Sequence, residues 1–517
     1  MRNHKALYAL TMISAITLHA ADQVKVAGGL LEGTTGGQPG IRAFLGIPYA
    51  APPVGPLRWK APEPAAKWTG VRQADRFGNR CMQTKPFPDM LFQSPAESED
   101  CLYLSVWTPA KTASERLPAM VWIHGGGYAS GAGDEKRHDG SVLASKGVIV
   151  VTINYRMGAL GFLSHPELTA EAPYKASGNY ALLDQIAALR WVQDNIAAFG
   201  GDPAAVTIFG ESAGSLSVSA MMATPLSKGL FARAIGESGA HFGAPGGTMM
   251  PESLAQAEKR GTDFAASVGA NSLAELRAVP AAALIKASTQ ATKFWPIVDG
   301  YVFPADPWDI YAQGKQAHVP LLAGWNSAEM KGGRAPSAAA FEATLRKQFP
   351  DDAEAALKAY PLGETDQQRR LSAVALASDN FIAYCTWKWI EMQTATGKSP
   401  VYRYLFDQII PTARGDAPAD DPGAAHATDI EYVFSTLETK KLAWRDSDRK
   451  ASDLITSYWT NFAKTGNPNG LGLAQWPAYD AKSRQILRLD ANLKAEAETN
   501  RARYELQDAV TVKLRKN

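Results

Sequence analysis

The chain alternates between nearly unbroken apolar runs and apolar residues at helical spacing. Leu102 to Trp107, Ala119 to Ile123 and Val148 to Ile153 are almost continuously apolar. A strand covered on one face alternates apolar with polar, whereas a strand covered on both does not. These runs therefore predict inner strands of a sheet with layers on either side. From Gly178 to Gly200, Leu182, Leu183, Ile186, Leu189, Val192 and Ile196 recur at the spacing of one helix face, and Gly201-Asp202-Pro203 ends the helix. Val206 to Phe209 then predicts a strand, and the small residues after Ser212 can open a helix. Further strands are expected at Ala232 to Gly236, Val319 to Gly324 and Val401 to Phe406. Residues 22 to 75 differ, with short β-type runs broken by Gly and Pro, as in Pro52-Pro53-Val54-Gly55-Pro56. They predict antiparallel strands and surface loops. Residues 330 to 400 are Ala-rich and helical, broken at Pro361-Leu362-Gly363, and read as a helical cap insertion rather than an independent domain. The whole predicts an α/β fold: one large, mostly parallel twisted sheet with helices on both faces, in a single domain over residues 21 to 517.

Composition refines this picture. With 46% hydrophobic residues in 517, the chain can bury a large core, and 53 basic against 51 acidic residues leave a net charge of +2 without a long run of either sign. No nucleic-acid footprint or polybasic membrane patch is expected. Arg2 and Lys5, the apolar run Ala6 to Leu18 and the small residues Ala20 and Ala21 have the layout of a secretory signal peptide over residues 1 to 20. The alternative is a buried or anchoring helix, but the run is shorter than the ~20 residues a span needs. A secreted or periplasmic protein without a stable membrane anchor follows. Export permits disulfides, so Cys81 and Cys101, which bracket a Pro- and Ser-containing loop, are expected to pair, and Cys385 to be a small buried hydrophobe. The competing reading is three unpaired thiols.

Candidate chemistry begins at Gly210-Glu211-Ser212-Ala213-Gly214. Between a predicted strand and a predicted helix, this G-x-S-x-G pattern is a nucleophile elbow, whose glycines let strand and helix pass closely behind an exposed serine. A serine hydroxyl needs a base, and in this kind of sheet the histidine comes last in chain order. His241, His318 and His426 follow Ser212, and His426, late and in a loop, fits best. The acid belongs after a strand, where Glu329 is the first carboxylate, with Asp299 and Asp306 as competitors. Gly125-Gly126-Gly127, after His124 and the strand ending at Ile123, can turn backbone N–H groups toward one point. With the N–H of Ala213, those of Gly126 and Gly127 are expected to form an oxyanion hole.

With these residues on the page, the chain resembles the type-B carboxylesterases, the family of bacterial para-nitrobenzyl esterases and a relation of the cholinesterases. The resemblance runs from about residue 24 to 490. It is carried by Phe44 to Ala50, Ser98-Glu99-Asp100-Cys101-Leu102-Tyr103-Leu104, the HGGG at 124, Asn154-Tyr155-Arg156, FGESAG at 209 and Glu237-Ser238-Gly239-Ala240. It implies an α/β-hydrolase fold, a Ser212, Glu329, His426 triad, the Cys81 to Cys101 disulfide, and ion pairs Arg58 with Glu99 and Arg156 with Asp184. It also implies that Ser238 sits beside Glu329 and His426. Glu211, His241, Gln290, Thr292 and Trp325 are expected to line the substrate pocket. The implied activity is hydrolysis of carboxylic esters through an acyl-serine, on a small-molecule ester, without metal or organic cofactor. Two alternatives use the same scaffold: a noncatalytic binding or adhesion protein, and a hydrolase of an amide, carbamate or lactone. Two departures stand out. The acid loop reads Gly324-Trp325-Asn326-Ser327-Ala328-Glu329-Met330 where the family resembles G-x-N-x-D-E-G, and the Cys81 to Cys101 loop holds no tryptophan, which argues against a choline ester.

Overall fold

The computed structural model describes residues 23–244, 249–291, 294–332 and 334–516. The signal segment proposed for residues 1 to 20 lies outside them. Eleven strands form the central sheet: β1 (Thr34–Thr35), β2 (Arg42–Pro48), β3 (Tyr103–Thr108), β4 (Leu117–Ile123), β5 (Ile149–Ile153), β6 (Gly201–Glu211), β7 (Arg233–Glu237), β8 (Leu321–Asn326), β9 (Val401–Phe406), β10 (Gln485–Leu489) and β11 (Lys494–Ala497). Their order is β11-β10-β9-β8-β7-β6-β4-β5-β3-β2-β1. The six pairings from β5 through β10 are parallel, and the four at the two edges are antiparallel.

The continuous apolar runs have the expected cause. Along β4, Ala119, Val121 and Ile123 enter one hydrophobic core while Met120 and Trp122 enter a second on the opposite face. Helices α1 (Tyr180–Asn195) and α2 (Ala213–Ala223) contribute to the first core, and α5 (Asp446–Thr465) to the second. The expected strands all appear, with ends within two residues of those predicted except that β6 starts at Gly201, five residues before the expected Val206. The helix read over 178–200 becomes α1 followed by a 3₁₀ turn at Ile196–Phe199, which Gly200 closes at φ 86°.

Residues 338–396 are helical, and the break at Pro361-Leu362-Gly363 falls between the helices Ala353–Ala359 and α3 (Asp366–Ser378). Between α3 and α4 (Tyr384–Thr396) the chain makes one π turn, Asp379–Ala383. Such turns admit an extra residue and often mark functional sites. A C-terminal helix, α6 (Arg501–Lys516), holds this turn from outside: Arg503 Nε lies 3.0 Å from Asp379 Oδ2, and Gln507 donates to Asn380 at 2.7 Å. The edge pair β10–β11 and α6 carried no clear signal in the sequence, since β11 is mostly exposed and polar.

Cys81 and Cys101 form a disulfide, and Cys385 is a buried free thiol pushed up to about 12 by burial. The bidentate pairs Arg58–Glu99 and Arg156–Asp184 are present, the latter fully buried. Among the described residues, no helix is long and apolar enough to cross a membrane.

Candidate active site

Strand β6 ends at Glu211 and α2 starts at Ala213, so Ser212 alone must turn the chain. It does so at φ 56°, ψ −120°, a region non-glycine residues seldom occupy. The turn is pinned by Ser212 N donating to Glu237 O at 2.8 Å, and α2 begins with Leu216 N on Ser212 O at 2.9 Å. The flanking glycines are obligatory for space. A Cβ on Gly214 would lie 1.9 Å from the carbonyl oxygen of Ile123, and one on Gly210 would lie 2.6 Å from the same atom.

His426 Nε2 lies 2.9 Å from Ser212 Oγ, and its Nδ1 lies 2.6 Å from Glu329 Oε2. The other oxygen of Glu329 accepts from Ser238 Oγ at 2.6 Å and from Asn326 N at 2.8 Å, so the buried carboxylate is held at both ends. The unusual flanks of the acid loop join it to the histidine loop. Ala328 N donates to Ala424 O at 2.9 Å, Ala424 N donates to Ser327 Oγ at 3.0 Å, and Asn326 Nδ2 donates to Ala425 O at 2.7 Å. The competing acids do other work: Asp299 accepts from the backbone of Tyr301 and Phe303, and Asp306 caps the helix Pro307–Ala312 and pairs with Arg515. His318 bonds Gly314 O.

The HGGG turn lies beside the elbow. His124 is buried, stacked on Tyr155 at 4.3 Å, and burial drives its imidazole down to about 4, so it is neutral. Gly126 at φ 100° and Gly127 at φ 64° adopt conformations that favour glycine, and a Cβ on Gly126 would lie 1.9 Å from Ser130 O. Gly126, Gly127, Ala213, Ser212 and His426 all line one cavity of about 420 Å³.

Glu211 also lines this cavity. Its Oε1 lies 3.3 Å from His426 Nε2 and has no hydrogen-bond partner among the described residues. Burial raises its carboxyl to about 8, although the neighbouring His426 pulls it down. Burial alone would depress His426, but Glu211 first and Glu329 second outweigh it and bring the imidazole up to about 9. Phe381, from the π turn, places its ring edge-on to His426 at 5.0 Å.

The remaining pocket expectations divide. Trp325 does not line the cavity: its side chain stacks on Arg403 at 4.5 Å and meets Tyr504 of α6 edge-on. His241 is buried one layer behind, parallel to Tyr128 and edge-on to Phe303. Thr292 lies outside the described residues, and of Gln290 only the backbone is described. Sequence reasoning missed most of the walls. Phe87, Asp89 and Met90 come from the disulfide loop, Arg137 from a 3₁₀ turn, Met330 from beside the acid, and Phe381 and Ile382 from the π turn. Among the described residues, no group of three or more His, Cys, Asp or Glu could hold a metal ion.

The chain is similar to known carboxylesterases in sequence and in fold. The model of the carboxylesterase family matches residues 20–507. The para-nitrobenzyl esterase of Bacillus subtilis strain 168 is 38% identical over 497 residues, covering 90% of this chain and 94% of that protein. The fumonisin B1 esterase of Sphingopyxis macrogoltabida is 37% identical over 474 residues, covering 88% and 84%. A solved PNB esterase structure superposes with a TM-score of 0.80 at 36% identity, covering 94% of this chain and 99% of that one.

Proposed function

This chain belongs to the carboxylesterase family and is a carboxylic ester hydrolase, and from that premise we propose that it works through an acyl-serine at Ser212 after export from the cytoplasm. His426 Nε2 takes the proton as Ser212 Oγ attacks the ester carbonyl. Glu329 orients the imidazole and stabilises its cation without taking the proton. The N–H groups of Gly126, Gly127 and Ala213 receive the developing oxyanion. The tetrahedral adduct collapses as His426 returns the proton to the leaving alcohol. Water, deprotonated by the same nitrogen, then attacks the acyl-serine and releases the acid.

The observation that carries this reading is the relay of 2.9 Å and 2.6 Å opening into a cavity walled by the glycine turn. Ser238 serves as a positioning hydroxyl on Glu329. Support for export comes from the N-terminal segment and from the Cys81–Cys101 disulfide. The test is Ser212→Ala assayed on an activated aryl ester. Turnover should fall by orders of magnitude with the fold intact by circular dichroism, and near-normal turnover would refute the acyl-serine.

A further inference from the structure

Arg137 is a cation in the wall of the catalytic cavity, far in sequence from the triad and unused by the relay. Its side chain is only 6% exposed, and a guanidinium withdrawn from water needs its five N–H groups answered. Nε donates to Glu135 at 2.8 Å and Nη1 donates to Asp89 at 2.6 Å. Nη2 makes no hydrogen bond to the described residues and is not among their buried unpartnered atoms, so it stays open to solvent. The backbone on either side is fixed, since Thr436 Oγ1 donates to Arg137 O at 2.9 Å and His138 N donates to Glu135 O at 2.8 Å. A rigid planar fork thus has two nitrogens bonded and one left over, beside the cavity that receives the ester.

Resting on the acyl-serine reading, we propose that Arg137 is a specificity residue, and that the preferred substrates carry a second acceptor oxygen, a carbonyl or a carboxylate, on the arm distal to the scissile ester. Nη2 donates to that oxygen. The acids around Arg137 are Asp89, Glu135, Glu211 and Glu431. Glu135 is raised to about 7 by burial, with Arg137 pulling it back. Because Asp89 and Glu135 already engage the cation, a neutral carbonyl fits the third nitrogen directly. A carboxylate must compete with Asp89, which at 36% side-chain exposure on the disulfide loop can give way.

The test uses three aryl esters of equal chain length ending in methyl, methyl ketone or carboxylate. The wild-type enzyme should favour an acceptor-bearing ester over the methyl ester by about tenfold in kcat/KM, the size of one hydrogen bond to a charged group. A ketone preference identifies the carbonyl, and a carboxylate preference identifies the acid. Arg137→Lys keeps the charge toward Asp89 and Glu135 but removes the fork, and should bring the three rates together. Asp89→Asn should raise the carboxylate ester relative to the ketone. Equal wild-type rates on all three esters refute the proposal whether or not the variants fold, as does an Arg137→Lys enzyme that keeps the wild-type ratios. If the methyl ester itself shows no Ser212-dependent turnover, it is the acyl-serine reading that has failed.

Discussion

Glu211→Gln isolates the electrostatics of the site because it removes a charge 3.3 Å from His426 Nε2 while keeping the shape of the side chain. At an effective dielectric of ~20, unit charges that close attract by roughly 5 kcal/mol, an upper limit for this pair. The net outcome is smaller. His426 rises from its ordinary 6.5 to about 9 against its own burial, raised by the charge of Glu211 and by the charge and hydrogen bond of Glu329. That rise corresponds to a free energy on the order of 3 kcal/mol. If Glu211 supplies about half, the variant's histidine falls by about 1 unit or somewhat more. The sign follows from the role. His426 must be neutral to take the serine proton, so activity is lost as pH falls through its pKa, and lowering that pKa moves the acid limb to lower pH. Because Glu211 and His426 titrate as a pair, the wild-type limb is a property of both and should lie in the alkaline range, between about 8 and 9. The assay is kcat/KM on a phenyl ester from pH 5 to 10. A limb that stays in place, or moves up, in Glu211→Gln refutes the argument that this carboxylate holds the imidazolium.

Two further outcomes follow from packing. Gly214→Ala should not yield a stable enzyme, because its Cβ would lie 1.9 Å from the Ile123 carbonyl and neither backbone can yield; a wild-type melting temperature would contradict this. The Cys81→Ser, Cys101→Ser double variant should lose about 3 kcal/mol by denaturant titration and also show a raised KM, because the closed loop carries Phe87, Asp89 and Met90 to the cavity; an unchanged KM would mean the loop keeps its place unaided.

The sheet was legible because its inner strands are buried on both faces, which makes Ala119 to Ile123 apolar at every position. The triad was legible because it obeys chain order and needs special neighbours: Gly210 and Gly214 leave room for the elbow, and Glu329 follows β8. The walls were not legible. Arg137, Met330 and Phe381 come from separate turns, and nothing periodic marks a residue that meets the others only after folding. Trp325 was misplaced for a related reason. Its side chain packs on Arg403 and on Tyr504 from α6, an element whose docking face cannot be read without the partner it docks on.

The grip of α6 on the π turn bears on the order in which the enzyme becomes complete. A chain is made from its N-terminus, so Ser212, Glu329 and His426 have all been synthesised while Arg503 and Gln507 are still to come. Phe381, which leans on the catalytic imidazole, and Ile382 beside it sit on a turn whose Asp379 and Asn380 are held by Tyr360 and Gln348 on one side and by Arg503 and Gln507 on the other. The nascent protein therefore holds every reacting group before the outer brace on the wall against which they are set. A helix made after all three of them braces the active site from behind.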